Sequence, residues 1–321
     1  MTLRPLIHQN PVWDGEFADP FVLPTQGAYY AYGTSSYARI SATRTPAQGV
    51  KAFPVLRSTD LVHWEFAGGI IDARPGQDYW APAVAERDGH YFLYYSTGET
   101  GDNTTHRLTV ARSDDPTGPF ETCVSGPLLP DEGFTIDAHP FHDPVDGRWY
   151  LFFAKDFFDG RVGTGIAAVP LAESMVAPAG EVVTILRASA DWQVHERNRQ
   201  LYGRRWPAWH TVEGPCVIWH AGRYYCLYSG GAWRTFQYGV GYGMSEHVLG
   251  PYHDEWSVEG PVVLHSVPGK GLGPGHNSVV SGPDGHNEFI VYHAWDAAHT
   301  ARRMCIDPLV WTADGPRGAI R

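Results

Sequence analysis

The sequence predicts an all-β fold, a five-bladed β-propeller with four-stranded antiparallel blades around a central channel, on three observations. A phrase made of a turn glycine and an aromatic strand recurs five times: GAYYAYGTS from Gly27, GHYFLYYST from Gly89, GRWYLFFAK from Gly147, GRYYCLYSG from Gly222 and GHNEFIVYHAW from Gly285. The copies stand roughly 60 residues apart, the length of one blade. Trp 12, Tyr 17 and Phe 14 alongside Gly 36 and Pro 25 suit short strands joined by tight turns.

Within each unit a first strand precedes the glycine and opens on a small or proline-rich phrase: ADPFV from Ala18, WAPAV from Trp80, DAHPF from Asp137, EGPCV from Glu213 and GHNSVV from Gly275. Segments such as LTVARSDD and YGVGYGMS supply outer strands. No helical period competes, and only LAESMVAP and ADWQVHERNRQ have room for a turn of helix. One interval is longer than the rest. Its surplus falls at about residues 187–211, RASADWQVHERNRQLYGRRWPAWHT, a polar and aromatic mixture that reads as a surface loop insertion. The chain from 1 to 321 is read as a single catalytic propeller domain carrying that loop.

Composition narrows the partners. Lys+Arg 24 against Asp+Glu 35 gives a net charge of -11 without a basic run, which argues against nucleic acid and against an anionic membrane surface. Cys123, Cys216, Cys226 and Cys305 lack metal-ligand spacing and lie in mostly apolar segments, so they are read as core thiols. The start, MTLRPLIHQNPVWDGE, shows no apolar export segment, and a cytoplasmic protein is the expectation.

Counted back from the turn glycines, Asp19, Trp80, Asp137, Glu213 and His276 fall at matching places, roughly nine residues ahead. In a propeller the first strand of every blade lines the channel, so matched places form a ring. Three members of this ring are acids. Converging carboxylates repel, and they persist where their shifted pKa values are used or a cation compensates them. Glycoside hydrolysis by an acid and a base is one use; calcium binding is the other.

The motifs ADP at 18–20, IDAHPF at 136–141 and EGP at 213–215, in this order on five blades, resemble glycoside hydrolase family 43 from Asn10 to Trp311. The resemblance implies Asp19 as general base, Glu213 as general acid, and Asp137 as the residue that orients Glu213 and raises its pKa. It implies single-step inversion, with the Asp19 and Glu213 carboxyls about 6.5–9.5 Å apart to admit a water. His276, in GPGHNSV, resembles an axial histidine facing calcium through water. A structural calcium in the channel is thus the one cofactor to look for, none being required by the chemistry, and the alternative is a hydrogen-bonded core histidine. Trp80 is read as an apolar wall for the sugar or as a wedge between blades. His139 is counted among the sugar contacts; its pairing with His142 as metal ligands is set aside, because Pro140 intervenes and no third ligand type is near. Trp192, Trp206 and Trp209, with Arg204 and Arg205, either cover the site and stack on the leaving sugar or pack the insertion. Arg303 is placed toward the site, with Arg302 its competitor.

The expected function is inverting, exo-acting release of terminal pentose from plant-cell-wall-derived arabino- or xylo-oligosaccharides, foremost as an α-L-arabinofuranosidase. A β-D-xylosidase or dual enzyme, then a galactoside-cleaving relative, are the alternatives within the family. Sucrose- and fructan-cleaving propellers show Asn-Asp-Pro, Arg-Asp-Pro and Glu-Cys where this chain has Ala-Asp-Pro, Ile-Asp-Ala and Glu-Gly-Pro. A sugar-binding propeller without catalysis would repeat its ligands in each blade, whereas the ring here is unequal.

Overall fold

The computed structural model describes residues 8–36, 50–254 and 257–320, and across them five small sheets form a ring with no α-helix. The first residues read for an export signal, 1–7, lie outside that description. Blade one is β1 (Ala18–Thr25), β2 (Ala28–Ser36), β3 (Lys51–Ser58) and β4 (Glu65–Asp72). Blade two is β5 (Gln77–Arg87), β6 (His90–Glu99), β7 (Arg107–Ser113) and the short β8 (Glu121–Thr122). Blade three begins with β9 (Thr135–His142), β10 (Trp149–Phe157), β11 (Gly163–Pro170) and β12 (Val183–Leu186), and is extended by β13 (Val194–Leu201) and β14 (Arg204–His210). Blade four is β15 (Val212–His220), β16 (Arg223–Gly230) and β17 (Gly239–Ser245). Blade five is β18 (Leu272–Ser281), β19 (Glu288–Trp295), β20 (Arg302–Thr312) and β21 (Gly315–Gly318).

The expected uniform four strands give way to blades of three to six. Blade four closes its outer edge with isolated bridges, Val240 to Leu264 and Met244 to His253, in place of a full strand. Residues 187–211 are not the loop that their composition suggests. Strands β13 and β14 pair there from Val194–His210 to Leu201–Arg204, turning at Tyr202 and Gly203 with φ of 53° and 69°. Two left-handed residues in a two-residue connection match the twist of a hairpin. A short 3-10 turn, Asp191–Gln193, leads into it.

The aromatic strands fill the gaps between blades. Tyr32, Tyr94, Phe152 and Tyr228 are fully buried, and the apolar side chains gather in five clusters, each spanning two neighbouring blades. Burying each such ring contributes about 2–3 kcal/mol, which holds the ring laterally where no hydrogen-bond ladder runs. Cys216, Cys226 and Cys305 belong to this core, whereas Cys123 is exposed, a departure from the core-thiol reading because it sits beyond the two-residue edge strand β8.

Every channel-lining strand carries a β-bulge at the same height, where pairing with the second strand skips two residues: Asp19-Pro20, Ala81-Pro82, Asp137-Ala138, Gly214-Pro215 and His276-Asn277. The first residue of each pair is left-handed, with φ of 51°, 50°, 60°, 56° and 48°. The true equivalents of Asp19, Asp137 and His276 are therefore Ala81 and Gly214, and Trp80 and Glu213 stand one residue earlier than the spacing suggests. A bulge frees a backbone N–H from the ladder. Four of these donors are taken by side chains of the preceding blade: Asp19 N–H by His293 Nδ1 at 3.1 Å, Ala81 by Thr34 Oγ1 at 2.8 Å, Gly214 by Asp137 Oδ2 at 3.0 Å and His276 by Ser229 Oγ at 2.7 Å.

The ring closes on its first and last segments. Val12 N–H bonds Met304 O and Phe17 N–H bonds Arg302 O, both at 2.9 Å, while the Asn10 side chain donates to Ile306 O and Asp307 and accepts from Ile306 N–H. Residues 10–17 thus complete the outer edge of blade five before the chain enters blade one.

Candidate active site

One end of the channel opens into a cleft of about 1090 Å³, and Asp19, Asp137 and Glu213 all line it. The bulges explain why. They turn the inner strands at one height, so acids from blades one, three and four face a common space. Trp80, His276 and Arg302 form further parts of its wall.

Asp19 is surrounded by polar side chains. Thr34 Oγ1 donates to Oδ2, Arg302 Nη1 donates to Oδ1 at 3.2 Å, and His293 Nδ1 and His276 Nδ1 stand 3.2 and 3.6 Å from Oδ1. Burial alone raises its pKa, yet Arg302, His276 and His293 outweigh burial and hold the carboxyl well below the usual range. Burial pushes His293 down to about 4 and lowers His276 as well. Arg302 is therefore the lasting positive charge that keeps Asp19 ionised near neutral pH.

Glu213 has the opposite environment. Burial pushes it up to about 7, Asp19 adds to the rise, and a hydrogen bond from Tyr238 to Oε1 at 2.9 Å opposes it. Asp137 is also driven well up, first by burial and then by Glu213 and Asp19. It titrates together with Glu213 as a buried pair. Its Oδ2 accepts the N–H of Gly214, the residue after Glu213, and so anchors the peptide that carries the acid.

The other expected residues divide. Trp80 lines the cleft with its ring stacked on buried His106, centroids 3.5 Å apart. Arg303 does not reach the site. Neighbouring strand residues face opposite ways, and Arg303 pairs with Asp296 at 3.1 Å while Arg302 enters the cleft. His139 lies beneath the floor, where Nε2 accepts the Val217 N–H at 3.1 Å and ties blade three to blade four. Trp209 edges the cleft but is 2% exposed. It is packed by Trp206, Tyr202 and Phe158, with the Arg199 guanidinium 5.3 Å from its ring, and offers no free face for a sugar. Trp192 stacks on Tyr228 and donates to Ser257 O, outside the cleft; Arg204 lies over Trp206. The hairpin instead presents Arg199, Leu201 and Tyr202. Tyr202 donates to Asp156, a cleft acid that burial pushes up to about 6.

His276 sits between Asp19 and Asp137, its Nδ1 3.6 and 3.9 Å from their oxygens. Among the described residues no group of three His, Cys, Asp or Glu could hold a metal ion. The void below, beside His276 and Asn277, is about 10 Å³, room for roughly one water. The Asn277 amide, buried there without a partner in the structure, suits that single water.

A cleft with one carboxyl held well below the usual range and another pushed up to about 7 suits the base and acid of glycoside hydrolysis. The chain belongs to the glycosyl hydrolases family 43, whose sequence pattern it matches over residues 8–316. It is 28% identical to the β-D-galactofuranosidase xynD of Aspergillus niger, across 95% of this chain and 83% of that protein. Against the extracellular endo-α-(1→5)-L-arabinanase 1 of Bacillus subtilis it is 26% identical, covering 93% and 86%. Against the extracellular exo-α-(1→5)-L-arabinofuranosidase of Streptomyces avermitilis it is also 26% identical, covering 93% of this chain and 60% of that one. A solved thermostable family-43 glycoside hydrolase superposes with a TM-score of 0.81 at 30% identity, covering 98% and 96%. The cytoplasmic expectation does not stand: two of these relatives, matched along nearly the whole chain, are extracellular enzymes.

Proposed function

We propose that this glycosidase is an inverting, exo-acting α-L-arabinofuranosidase that releases terminal arabinofuranose from arabino-oligosaccharides. The observation that carries the acid and base assignment is the opposed state of two carboxyls in one cleft, Asp19 ionised and Glu213 pushed up to about 7. Asp19 takes a proton from a water whose oxygen bonds the anomeric carbon. The bond from that carbon to the departing sugar's oxygen breaks, and Glu213 gives this oxygen its proton. Asp137 orients Glu213 through the Gly214 N–H and titrates with it. Exo action draws support from the β13–β14 hairpin, which walls the cleft with Arg199, Leu201 and Tyr202. The arabinofuranosyl preference draws on the Streptomyces relative.

A second reading, β-D-galactofuranoside cleavage, is favoured by the Aspergillus relative. The two furanosides share ring stereochemistry and differ in the substituent beyond C4. The test compares wild type and Glu213→Ala on 4-nitrophenyl α-L-arabinofuranoside, β-D-galactofuranoside and β-D-xyloside, and on arabino- and xylo-oligosaccharides, with product anomers followed by NMR. Inverted arabinose from chain ends, lost on oligosaccharides in the variant, is expected. Internal cuts in arabinan overturn exo action, and preferred galactofuranose or xylose release overturns the substrate.

A further inference from the structure

A tyrosine outside the ring of matched positions controls the acid. Tyr238, just ahead of β17, is 1% exposed, and its hydroxyl donates to Glu213 Oε1 at 2.9 Å. Its ring lies parallel to that of His293 on blade five, centroids 6.0 Å apart with 9° between planes. The slot it fills exists because residue 275 is glycine: a Cβ there would stand 2.1 Å from a carbon of the Tyr238 ring.

Ser229 stands behind Tyr238. The His276 backbone N–H, set free by its bulge, can only donate, and it donates to Ser229 Oγ at 2.7 Å. The Ser229 side chain also favours the ionised form of Tyr238. The Tyr238 hydroxyl gives its proton to Glu213 Oε1, since a carboxylate oxygen can only accept.

We propose that Tyr238 is a positioning residue for the acid, occupying Oε1 with a donated hydrogen bond so that the transferable proton resides on Oε2. The proposal rests on Glu213 being the general acid. A tyrosine present only for packing would be replaced by phenylalanine without effect on protonation, because the ring against His293 and Gly275 would be kept. Loss of the hydroxyl removes a bond that favours the carboxylate and lets Oε1 and Oε2 compete for the proton.

The experiment compares wild type, Tyr238→Phe, Ser229→Ala and Glu213→Gln on an arabino-oligosaccharide and on 4-nitrophenyl α-L-arabinofuranoside, with full pH profiles. In Tyr238→Phe the alkaline limb of the oligosaccharide profile moves up by about one pH unit, and kcat on the oligosaccharide falls about 10-fold with KM nearly unchanged. The nitrophenyl glycoside, whose leaving group needs little protonation, is hardly affected. Ser229→Ala gives a smaller shift of the same sign, and it decides the matter if Tyr238→Phe does not fold. An unmoved alkaline limb beside an inactive Glu213→Gln overturns the proposal alone. Full oligosaccharide activity in Glu213→Gln overturns the assignment of the acid, and the proposal with it.

Discussion

Arg302 and Asp19, near opposite ends of the chain, meet across the closure of the ring with Nη1 and Oδ1 3.2 Å apart. The guanidinium also lies over Trp233, 4.7 Å from the ring centre, which fixes its plane. Removing it takes away the lasting cation that overcomes the burial of Asp19. Arg302→Ala is expected to lower kcat/KM by roughly 100-fold or more and to raise the acid limb of the pH profile. Arg303→Ala, whose guanidinium faces Asp296, should stay within about 3-fold. Steady-state kinetics of the pair checks this, and the reverse ranking would return the site arginine to 303.

The profile of kcat/KM against pH should be a broad plateau with unequal limbs. On the proposed assignment turnover needs Glu213 protonated, so activity is expected to fall as pH rises through about 7. It also needs Asp19 ionised, and since that carboxyl is held well below the usual range, the acid limb lies below ordinary carboxylate titration. Measurement from mildly alkaline to strongly acid buffer, corrected for unfolding, tests both limbs. An alkaline limb governed by an ordinary exposed carboxyl would contradict the buried state of Glu213.

The acid should cost the fold stability. A carboxyl whose folded pKa is raised lends stability below the unfolded value and loses it as pH climbs through the folded one. Glu213→Gln, which stays neutral, is therefore expected to melt higher than wild type at pH 8, by on the order of 1–2 kcal/mol or roughly 2–6 °C. At pH 4 the difference should vanish. Calorimetry at both pH values decides; equal melting at pH 8 would mean that Glu213 ionises without penalty.

Two tryptophans should behave unlike each other. Trp80 presents its ring to the cleft over His106, so Trp80→Ala is expected to raise KM about 10-fold with a modest loss of stability. Trp209 is buried among Trp206, Tyr202 and Phe158. Trp209→Ala should cost about 3–5 kcal/mol and loosen the hairpin, seen first as protease cleavage between residues 194 and 210. A large KM effect with unchanged melting would instead make Trp209 a sugar contact.

The blades were legible because a turn glycine and an alternating aromatic strand repeat without disguise. The register of the site was not. A bulge inserts a residue that spacing cannot count, so Trp80 and Glu213 looked equivalent to Asp19 although Ala81 and Gly214 are. The choice between Arg302 and Arg303 depended on strand parity after a turn at Asp296, which no local pattern marks. In VHERNRQL both faces are polar, so period-two alternation was hidden, and only the Tyr202-Gly203 pair hinted at a hairpin. Tyr238 lay in a chain rich in tyrosine. Its role follows from Gly275 and Ser229, residues distant in sequence that the fold brings to it.

The seam formed by residues 10–17 against Met304 and Arg302 joins segments that synthesis delivers far apart in time. During synthesis Asp19 leaves the ribosome well before Arg302. Until strand β20 docks, Asp19 lacks its cation and the ring stands open. A chain stopped short of β20 is therefore expected to be inactive, with activity gained once the strand that carries Arg302 has joined blade one to blade five.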